Sequence, residues 1–438
     1  MSGRRPNHVR GMRKMRLYEK FFPHTPPVEQ QLAQSRRIIL AEEAIAGTIF
    51  SLGIGNFLVG YLTWMGASPA FSALVGALPM LGCILQAVSP FLFERLRYRK
   101  LCIVLVCLGF RFSMGLAAFV PLLFSHSASR QTAVFLLYFF ACMCAGFVTP
   151  GLNQWILSIA PQESRGNFFA KKNILNSIVN ASVMFLMGRQ LDYFIGQGQP
   201  QTGYFIVYGT ILLLTFLDIA LLSHVWETPS QKVLNIRPQD FLRPFRDRKF
   251  RSVILFDTLW FIAGNFSSVF LPVYLLRGLG LSHSYISVMT ILASVTGIFC
   301  NWVWGRMADR RGWRSVLTAA SALSCCGYMG WFLITPTAAL FAAPVLQCIA
   351  TAGSSASSLA TLNMEYASCP EEGKTVYLGA VAVVSNLMGY MATLAASGIQ
   401  STLEHSLSTE RSISVLFAIS AAGMLACLWH ARKNLPKI

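Results

Sequence analysis

Residues 315 to 364 read SVLTAASALSCCGYMGWFLITPTAALFAAPVLQCIATAGSSASSLATLNM, fifty positions without a formal charge. A helix needs about 20 apolar residues to cross a hydrocarbon core of roughly 30 Å, so this stretch is long enough for two crossings. The break falls at Thr335-Pro336-Thr337, because proline ends a helix. The stretch therefore predicts two membrane-spanning helices joined by a very short loop.

The rest of the chain has the same character. Of its 438 residues, 54% are hydrophobic and only 12% are charged, which leaves too little polar surface for a water-soluble globule. Further apolar stretches of spanning length alternate with polar loops and predict an all-α integral membrane fold of twelve transmembrane helices. We place these spans at residues 38–64, 70–93, 101–124, 132–160, 173–195, 204–226, 252–276, 283–304, 315–334, 338–365, 375–400 and 413–430.

Positive charge is distributed unevenly between the two sides of the predicted membrane. The chain carries 36 Lys and Arg against 18 Asp and Glu, a formal net charge of +18. With both termini inside, 31 of the basic residues lie on the inner side, three lie in outer loops and two lie within spans. This is the positive-inside asymmetry of membrane proteins. It predicts contact with membrane lipids and argues against nucleic acid as a partner.

The sequence indicates neither a cofactor nor an enzyme. Its eleven cysteines lie mostly in apolar runs, where they act as small packing residues. It contains no CxxC pair, no Cys/His cluster with metal-ligand spacing and no GxxxxGK[ST] loop. No paired catalytic carboxylates or nucleophile elbow lie in a predicted span. We therefore expect no metal, no cofactor and no catalytic residue.

The two halves of the chain share an internal repeat. A basic linker predicts four segments: a cytoplasmic tail at 1–37, a six-helix bundle at 38–226, the linker at 227–249 and a second bundle at 250–438. Four short motifs recur in the same order, at offsets of 209 to 215 residues: Gly55-Asn56-Phe57 with Gly264-Asn265-Phe266, Gly66-x-Ser68 with Gly280-x-Ser282, Glu94-Arg95 with Asp309-Arg310, and Pro161-x-Glu163 with Pro370-x-Glu372. Their constant order indicates duplication.

A charged motif follows the eighth predicted span and reads Gly305-Arg306-Met307-Ala308-Asp309-Arg310-Arg311-Gly312-Trp313-Arg314. It closely resembles the GxxxDRxGR signature that lies between the second and third helices of each half in the major facilitator superfamily. The twelve spans and the two halves extend this resemblance to almost the whole chain. The resemblance implies two pseudo-symmetric six-helix bundles and transport across a membrane by alternating access.

The resemblance also implies a gate at the inner face, which favours the outward-open state. Gly305 would let a neighbouring helix pack closely, and Asp309 would face the positive end of another helix dipole. The arginines would bind carboxylates or lipid phosphates. A basic anchor loop with a tight turn is the alternative. The gating residues that we assign are Gly305, Asp309, Arg310, Gly312 and Arg314, with Glu94 and Arg95 in the first-half copy, where Pro90 replaces the glycine.

Ionisable residues inside spans are candidates for coupling, because a charge within the bilayer is costly. The candidates are Asp257, Glu42, Glu43 and Arg111. Asp257 lies roughly 8 Å inside the seventh span, and the resemblance places it at a central cavity. There it could bind a proton, a cation or the substrate. Pairing with Arg251 or with an arginine of the linker is the alternative for Asp257.

Pairing within the first half is an alternative for the other charged residues. Glu42 and Glu43 can pair with Arg36 and Arg37 at the membrane interface. For Arg111 we prefer a structural pair with Asp218 at similar depth. Arg189 and Asp192 are expected to form an i,i+3 bridge at the outer end of the fifth span.

Neutral polar side chains on the helices that the resemblance assigns to the cavity are candidates for solute binding. They are Asn56, Asn153, Gln154, Trp155, Asn176, Asn180, Trp260, Asn265, Asn363, Asn386 and Tyr390. Amides with aromatic rings suit a polar organic solute such as a sugar. The same amides can instead hydrogen-bond helix to helix.

These observations together predict a secondary transporter of a small organic solute, driven by a proton gradient or by the gradient of the solute. An exporter of drugs, amphiphiles or lysolipids is the alternative within transport, and a membrane-embedded solute sensor is the alternative outside it. We expect a monomeric, multi-pass protein of the plasma membrane, specifically a bacterial inner membrane, with both termini cytoplasmic.

Overall fold

Helices make up most of the residues that the structure describes. The structure is a computed structural model that describes residues 19–23, 27–93, 96–161, 165–227, 243–369 and 374–435, and no β-strand occurs within these ranges. We label the twelve long helices in chain order: α1 (Glu29–Trp64), α2 (Pro69–Phe93), α3 (Lys100–Leu123), α4 (Ser127–Ile159), α5 (Arg165–Gly196), α6 (Pro200–His224), α7 (Phe250–Gly278), α8 (His283–Arg311), α9 (Trp313–Leu333), α10 (Ala339–Ser368), α11 (Lys374–Leu403) and α12 (Thr409–Lys433).

Eleven of these helices are long and apolar enough to cross a membrane, as judged over the described ranges. The exception is α5, which has 32 residues but carries amides and charges along its length. Its length still exceeds the roughly 20 residues that a crossing needs.

Consecutive helices run in opposite directions, so the loops lie at two ends. We call the end with the loops before α3, α5, α9 and α11 the basic end, and the other the opposite end. α1–α6 form one bundle and α7–α12 form the other. Between the bundles, α2 packs on α11 and α5 packs on α8. Buried apolar clusters lie within each half, and one further cluster joins Val59 and Ala73 of the first half to residues of the second.

The predicted repeat is visible in the local structure at the opposite end. Gly66 and Gly280 both have positive φ, +81° and +65°. Two residues later, Ser68 and Ser282 each accept a hydrogen bond from a backbone amide in the first turn of α2 and α8, as an N-cap serine does. Equivalent residues in the two halves therefore build the same glycine turn and serine cap.

Helix lengths differ from the predicted spans. The helix α5 begins at Arg165 rather than 173, and α8 continues to Arg311 rather than 304. Hydropathy marks only the part of a helix that lies in hydrocarbon, whereas polar residues continue the helix beyond it. As a result most of the motif at 305–314 is the last turns of α8 and not a loop. The turn itself is Gly312, with a φ of +76°.

Candidate functional site

A cavity of about 300 Å³ lies between the two bundles. Five helices, α1, α5, α7, α8 and α10, contribute to it, so both halves form its walls. Two of the predicted solute-binding residues, Asn56 and Asn180, line it. The sequence did not single out three further polar residues that line it: Ser51, Thr290 and Gln347.

The amides in the cavity carry unused hydrogen-bonding atoms. Asn56 Nδ2, Asn180 Oδ1 and Gln347 Oε1 are buried and have no hydrogen-bond partner within the described residues. The Asn180 nitrogen, by contrast, donates to Ser51 Oγ at 2.8 Å. Unpaired buried polar atoms are costly and uncommon. All three atoms are sealed from solvent in this state, so side chains must rearrange before a solute can reach them.

Other predicted cavity residues of the first half lie elsewhere. Gln154 accepts a hydrogen bond from Arg99 at 2.5 Å, and Trp155 Nε1 donates to the Trp226 carbonyl at 3.1 Å. Asn153 is exposed. The amide of Asn176 lies against α1, where a Cβ on Gly47 would come within 2.1 Å of Asn176 Oδ1. None of these four side chains lines the cavity of 300 Å³; Gln154, Trp155 and Asn176 face other parts of the first bundle instead.

The predicted cavity amides of the second half bond to their own helices. The side chains of Asn265, Asn363 and Asn386 each donate to the carbonyl four residues earlier, at 2.9, 2.7 and 2.7 Å. Trp260 stacks on Phe256. The side chain of Tyr390 packs against the apolar cluster of the first half. None of these five lines the cavity of 300 Å³.

Asp192 of α5 joins the two halves at the opposite end. Its carboxylate accepts hydrogen bonds from the amides of His283 and Ser284, at 2.9 and 2.8 Å, and from Ser284 Oγ at 2.5 Å. These are the first residues of α8, so Asp192 caps that helix from the other bundle and also meets its positive dipole. We call this contact the Asp192 latch. The predicted bridge from Arg189 to Asp192 is wrong.

The close approach of α5 to α8 depends on a glycine. A Cβ on Gly188 would lie 3.0 Å from Ser284 Cα and 3.1 Å from the His283 carbonyl. The ring of His283 stacks on Phe57 of α1, with centroids 5.9 Å apart. The start of α8 is therefore held between α1 and α5.

Further contacts across the halves also lie at the opposite end. Arg277 donates to the Thr63 carbonyl at 3.2 Å, and Ser397 Oγ donates to the Ala70 carbonyl at 3.4 Å. With the Asp192 latch, these bonds join α1, α2 and α5 to α7, α8 and α11. The opposite end is therefore closed.

The motif at the basic end makes a different set of contacts from those predicted. A Cβ on Gly305 would meet no described atom within 4 Å, so close packing of a helix at this glycine stays a prediction. Asp309 is exposed. Arg314 instead donates to the Ala431 carbonyl at 3.0 Å and to that of Arg432, the last turn of α12. The first-half copy, Glu94 and Arg95, lies outside the described residues.

Three charged side chains are buried together inside the first bundle. Arg111 of α3 pairs with Asp218 of α6 and with Glu42 of α1, the latter at 3.2 Å. All three side chains are at most 4% exposed. The predicted pair of Arg111 with Asp218 is confirmed. Glu42 joins it and does not pair with Arg36 or Arg37. We call these three residues the buried triad.

Glu43 lies beside the buried triad but has a different partner. It pairs with Lys172 of α5 at 3.3 Å. Its predicted partner Arg36 pairs with Glu29 at 2.5 Å. Both glutamates therefore pair within the first bundle, because α1 begins at Glu29 and places them more than three turns inside the helix.

Asp257 lies beside a second acid inside the second bundle. Glu365 of α10 is close enough to Asp257 for the two charges to repel. Both acids are only 8% exposed. The alternative partner Arg251 is exposed, and the described residues provide no ion pair for either acid. Glu365 was not predicted from the sequence because it stands at the very end of a predicted span.

A buried charge cluster also holds the start of α3 at the basic end. Glu227 accepts hydrogen bonds from the backbone amides of Arg99 and Lys100. Lys100 Nζ donates to the carbonyls of Ser223, Val225 and Lys20, at 2.8, 2.6 and 3.2 Å. The cluster thus ties the segment after α6 and residues 19–23 to α3.

The stability of this cluster should depend on pH. Burial raises the pKa of Glu227 from 4.5 to about 7, although the two amides partly oppose the shift. The folded protein therefore binds the extra proton between these values, and stability falls as pH rises through this window. We expect Glu227→Gln to remove this part of the decline in midpoint temperature between pH 5 and 8. Each kcal/mol amounts to roughly 2 °C or less for so long a chain.

The exposed Glu29 is the control for Glu227, since its side chain is 73% accessible and pairs only at the surface. Glu29→Gln should leave the slope of midpoint temperature against pH unchanged. If Glu227→Gln and the natural protein showed the same slope of midpoint temperature against pH, Glu227 would not be the group responsible for the decline.

The described residues contain no group of three or more His, Cys, Asp or Glu that could hold a metal ion.

Comparison with known families identifies the protein class. The family model described as Major Facilitator Superfamily matches residues 44–393. The chain therefore belongs to the major facilitator superfamily, and its fold is the twelve-helix fold of two bundles. The sequence comparison with curated proteins yields no match.

Solved transporters share the fold at low sequence identity. A point mutant of the nucleoside transporter NupG has a TM-score of 0.71 and 10% identity, with coverage of 92% of this chain and 99% of that one. The peptide transporter PepTSo of the POT family has a TM-score of 0.72 and 12% identity, with coverage of 93% and 98%.

A bacterial homologue of the iron transporter ferroportin is informative because it was solved in two states. The inward-facing structure has a TM-score of 0.71, with 16% identity and coverage of 92% and 98%. The outward-facing structure, at the same identity and with coverage of 91% and 98%, has a TM-score of only 0.58. Both structures therefore share the fold of this chain.

Proposed function

We propose that the protein is a secondary transporter that moves a small organic solute by alternating access. The observation that carries this proposal is the cavity between the halves, lined from both bundles, together with the hydrogen bonds that join the halves at the opposite end. Family membership supports transport, and the family neighbours named above carry nucleosides, peptides or iron. A polar metabolite is the solute class that the cavity amides favour. The apolar walls of the cavity would also suit an amphiphile, so an exporter of amphiphiles is the second candidate.

The basic end is proposed to face the cytoplasm. This orientation follows from the 31 basic residues that the topology places on one side. It puts both termini inside, the tail at 1–37, the bundles at 38–226 and 250–438 and the linker at 227–249. The linker lies mostly outside the described residues. A bacterial inner membrane and a monomer remain our predictions.

Two contacts are proposed to set the balance between the inward-open and outward-open states, one at each end of the protein. The Asp192 latch closes the outer side and must break before the cavity can open outward. The motif of α8, with Asp309, is the corresponding contact of the inner side. Among the described residues Asp309 is exposed and nothing packs on Gly305, which leaves this glycine free for a helix to pack against in the outward-open state.

Asp257 and Glu365 are proposed as the site of proton coupling. Two buried like charges stabilise a bound cation, of which a proton is the smallest. The buried triad, by contrast, is proposed to be structural, because it is sealed within one bundle.

Proteoliposomes loaded with the solute test the coupling site. We expect Asp257→Asn to abolish accumulation driven by a pH gradient, a loss of at least tenfold, while exchange of internal for external solute continues. Glu410→Gln, at the opposite end, is the control. Gradient-driven accumulation by Asp257→Asn at the natural rate would contradict the assignment, and no movement of any solute by the natural protein would contradict transport.

A further inference from the structure

A second cavity lies at the basic end, away from the interface between the bundles. It has a volume of about 740 Å³ and is lined by α8, α9 and α12, all of the second bundle. Three arginines line it: Arg311 at the end of α8, Arg314 at the start of α9 and Arg432 near the end of α12. None of the described residues that line it is an acid. We call this cavity the arginine groove.

The described residues do not neutralise the positive charge of the arginine groove. Their ion pairs involve none of its three arginines. Arg314 donates to the carbonyls of Ala431 and Arg432, which are neutral acceptors. The side chains of Arg311 and Arg432 are exposed and donate no hydrogen bond within the described ranges. Because like charges repel, an anion that enters the groove is attracted by all three arginines and relieves their repulsion.

The chemistry of the groove favours phosphate among anions. A guanidinium group binds phosphate oxygens through two parallel hydrogen bonds and stays charged at every physiological pH. A phosphate has more oxygens than a carboxylate, so it can bond to several arginines at once. The groove also includes Gly312, after which α9 begins without a side-chain cap. The positive end of that helix dipole therefore adds to the attraction.

The groove continues from the arginines into an apolar part. Ala319 and Ala322 of α9 and Met307 of α8 line this part. Ala322 lies eight residues beyond Arg314 toward the opposite end, a distance of roughly 12 Å along the helix. The alanines leave space beside α9, and the methionine side chain is flexible. The groove therefore suits a ligand with a phosphate at one end and a hydrocarbon chain at the other.

Two exposed tryptophans place the arginine groove at the level of lipid headgroups. Lys433 Nζ lies 5.1 Å from the ring centroid of Trp429 on α12, and the Arg306 guanidinium lies 3.9 Å from that of Trp302 on α8. Both tryptophans are more than half exposed, at 59% and 55%. Tryptophan rings and long basic side chains concentrate at membrane interfaces. Arg432 is three residues from Trp429, so the groove opens where the lipid phosphates of one leaflet lie.

We infer that the arginine groove binds one anionic phospholipid. Its phosphate lies between Arg311, Arg314 and Arg432, and an acyl chain lies along Ala319 and Ala322. A free phosphate ester shares the chemistry of the headgroup but leaves the apolar part of the groove empty. The cytoplasmic leaflet, which the basic end is proposed to face, is the one that carries anionic lipids. The inference does not depend on transport, because the site lies in one bundle and outside the cavity between the halves.

Native mass spectrometry of the purified, delipidated full-length protein tests the inference, because it counts bound lipids. Dioleoyl phosphatidylglycerol is anionic, dioleoyl phosphatidylcholine has the same chains with a neutral headgroup, and glycerol 3-phosphate has a phosphate without chains. We expect the first phosphatidylglycerol to bind at least tenfold more tightly than either of the others. Equal binding of the two lipids would overturn an anion site. Equal binding of phosphatidylglycerol and glycerol 3-phosphate would overturn a lipid site in favour of a free phosphate ester.

Two double variants separate the groove from the general positive charge of the basic end. Arg311→Gln with Arg432→Gln removes two charges from the groove but keeps the bonds from Arg314 to α12, so the first phosphatidylglycerol should bind at least tenfold more weakly. Arg165→Gln with Arg251→Gln removes the same charge from two exposed positions of the same end and should change binding less than twofold. Midpoint temperatures without lipid verify that both are folded. Equal weakening in the two double variants would overturn the site.

A single substitution tests the apolar part of the groove. Ala322→Phe fills the space beside α9, so phosphatidylglycerol should bind at least fivefold more weakly while the arginines stay in place. Ala426→Phe, at an exposed position of α12, is the control for an added ring outside the groove and should have no effect. Equal affinities of Ala322→Phe and Ala426→Phe for phosphatidylglycerol would overturn the placement of the acyl chain.

Discussion

Arg111→Met should destabilise the protein by about 3–5 kcal/mol, the cost of leaving partners of a buried ion pair uncompensated. Arg111 is the basic member of the buried triad, and its removal leaves Glu42 and Asp218 as two carboxylates in an apolar core. The midpoint temperature in detergent and the monodisperse fraction after purification measure the loss. We expect little folded protein to be recovered.

The charge explanation is tested by restoring neutrality. The triple variant Arg111→Met, Glu42→Gln and Asp218→Asn removes all three charges and should regain most of the stability, because neutral groups are far less costly to bury. Arg189→Met changes an exposed arginine in the same way and should have little effect. Equal stability of Arg111→Met and Arg189→Met would contradict the assigned role.

Asp192→Ala should raise the ratio of outward-open to inward-open protein at least tenfold. The change removes three hydrogen bonds to a charged group, each contributing about 1.5–3 kcal/mol. A cysteine at Thr290, which lines the cavity, reports the shift in a background without the eleven native cysteines. A membrane-impermeant thiol reagent added outside should label it much faster in the variant.

Two further variants separate the latch from a general loss of packing. Gly188→Ala places a methyl group against the start of α8 and should shift labelling in the same direction. Arg189→Ala, one turn before Asp192 and exposed, should not. Labelling rates that are the same in Asp192→Ala and Arg189→Ala would count against the latch.

Much of the fold was predictable from the sequence because lipid imposes simple rules. Length and hydropathy identify a span, and Pro336 marks a break between two of them. The pairs Gly66 with Gly280 and Ser68 with Ser282 were predictable as a repeat, since turns and caps require particular residue types. The start of α5 and the end of α8 were not predictable, because a helix continues into water beyond its last apolar residue.

The candidate site was less predictable because it depends on helix rotation. An amide within a span has the same sequence signature whether it faces a cavity, as Asn180 does, or its own backbone, as Asn363 does. Gln347 and Thr290 lie in ordinary apolar stretches. The role of Asp192 depends on its contact with α8, 91 residues further along the chain. The sequence around Asp192 does not predict such a distant partner.

Distances measured by spin labels at both ends test alternating access most directly. One label pair, Gln197 with Thr337, reports the opposite end, and another, Ala170 with Ala367, reports the basic end; all four residues are exposed. We predict that Asp192→Ala lengthens the first distance and shortens the second, and that Asp309→Ala favours the reverse. Distances that stay unchanged in Asp192→Ala, or that lengthen together at both ends, would contradict alternating access in this protein.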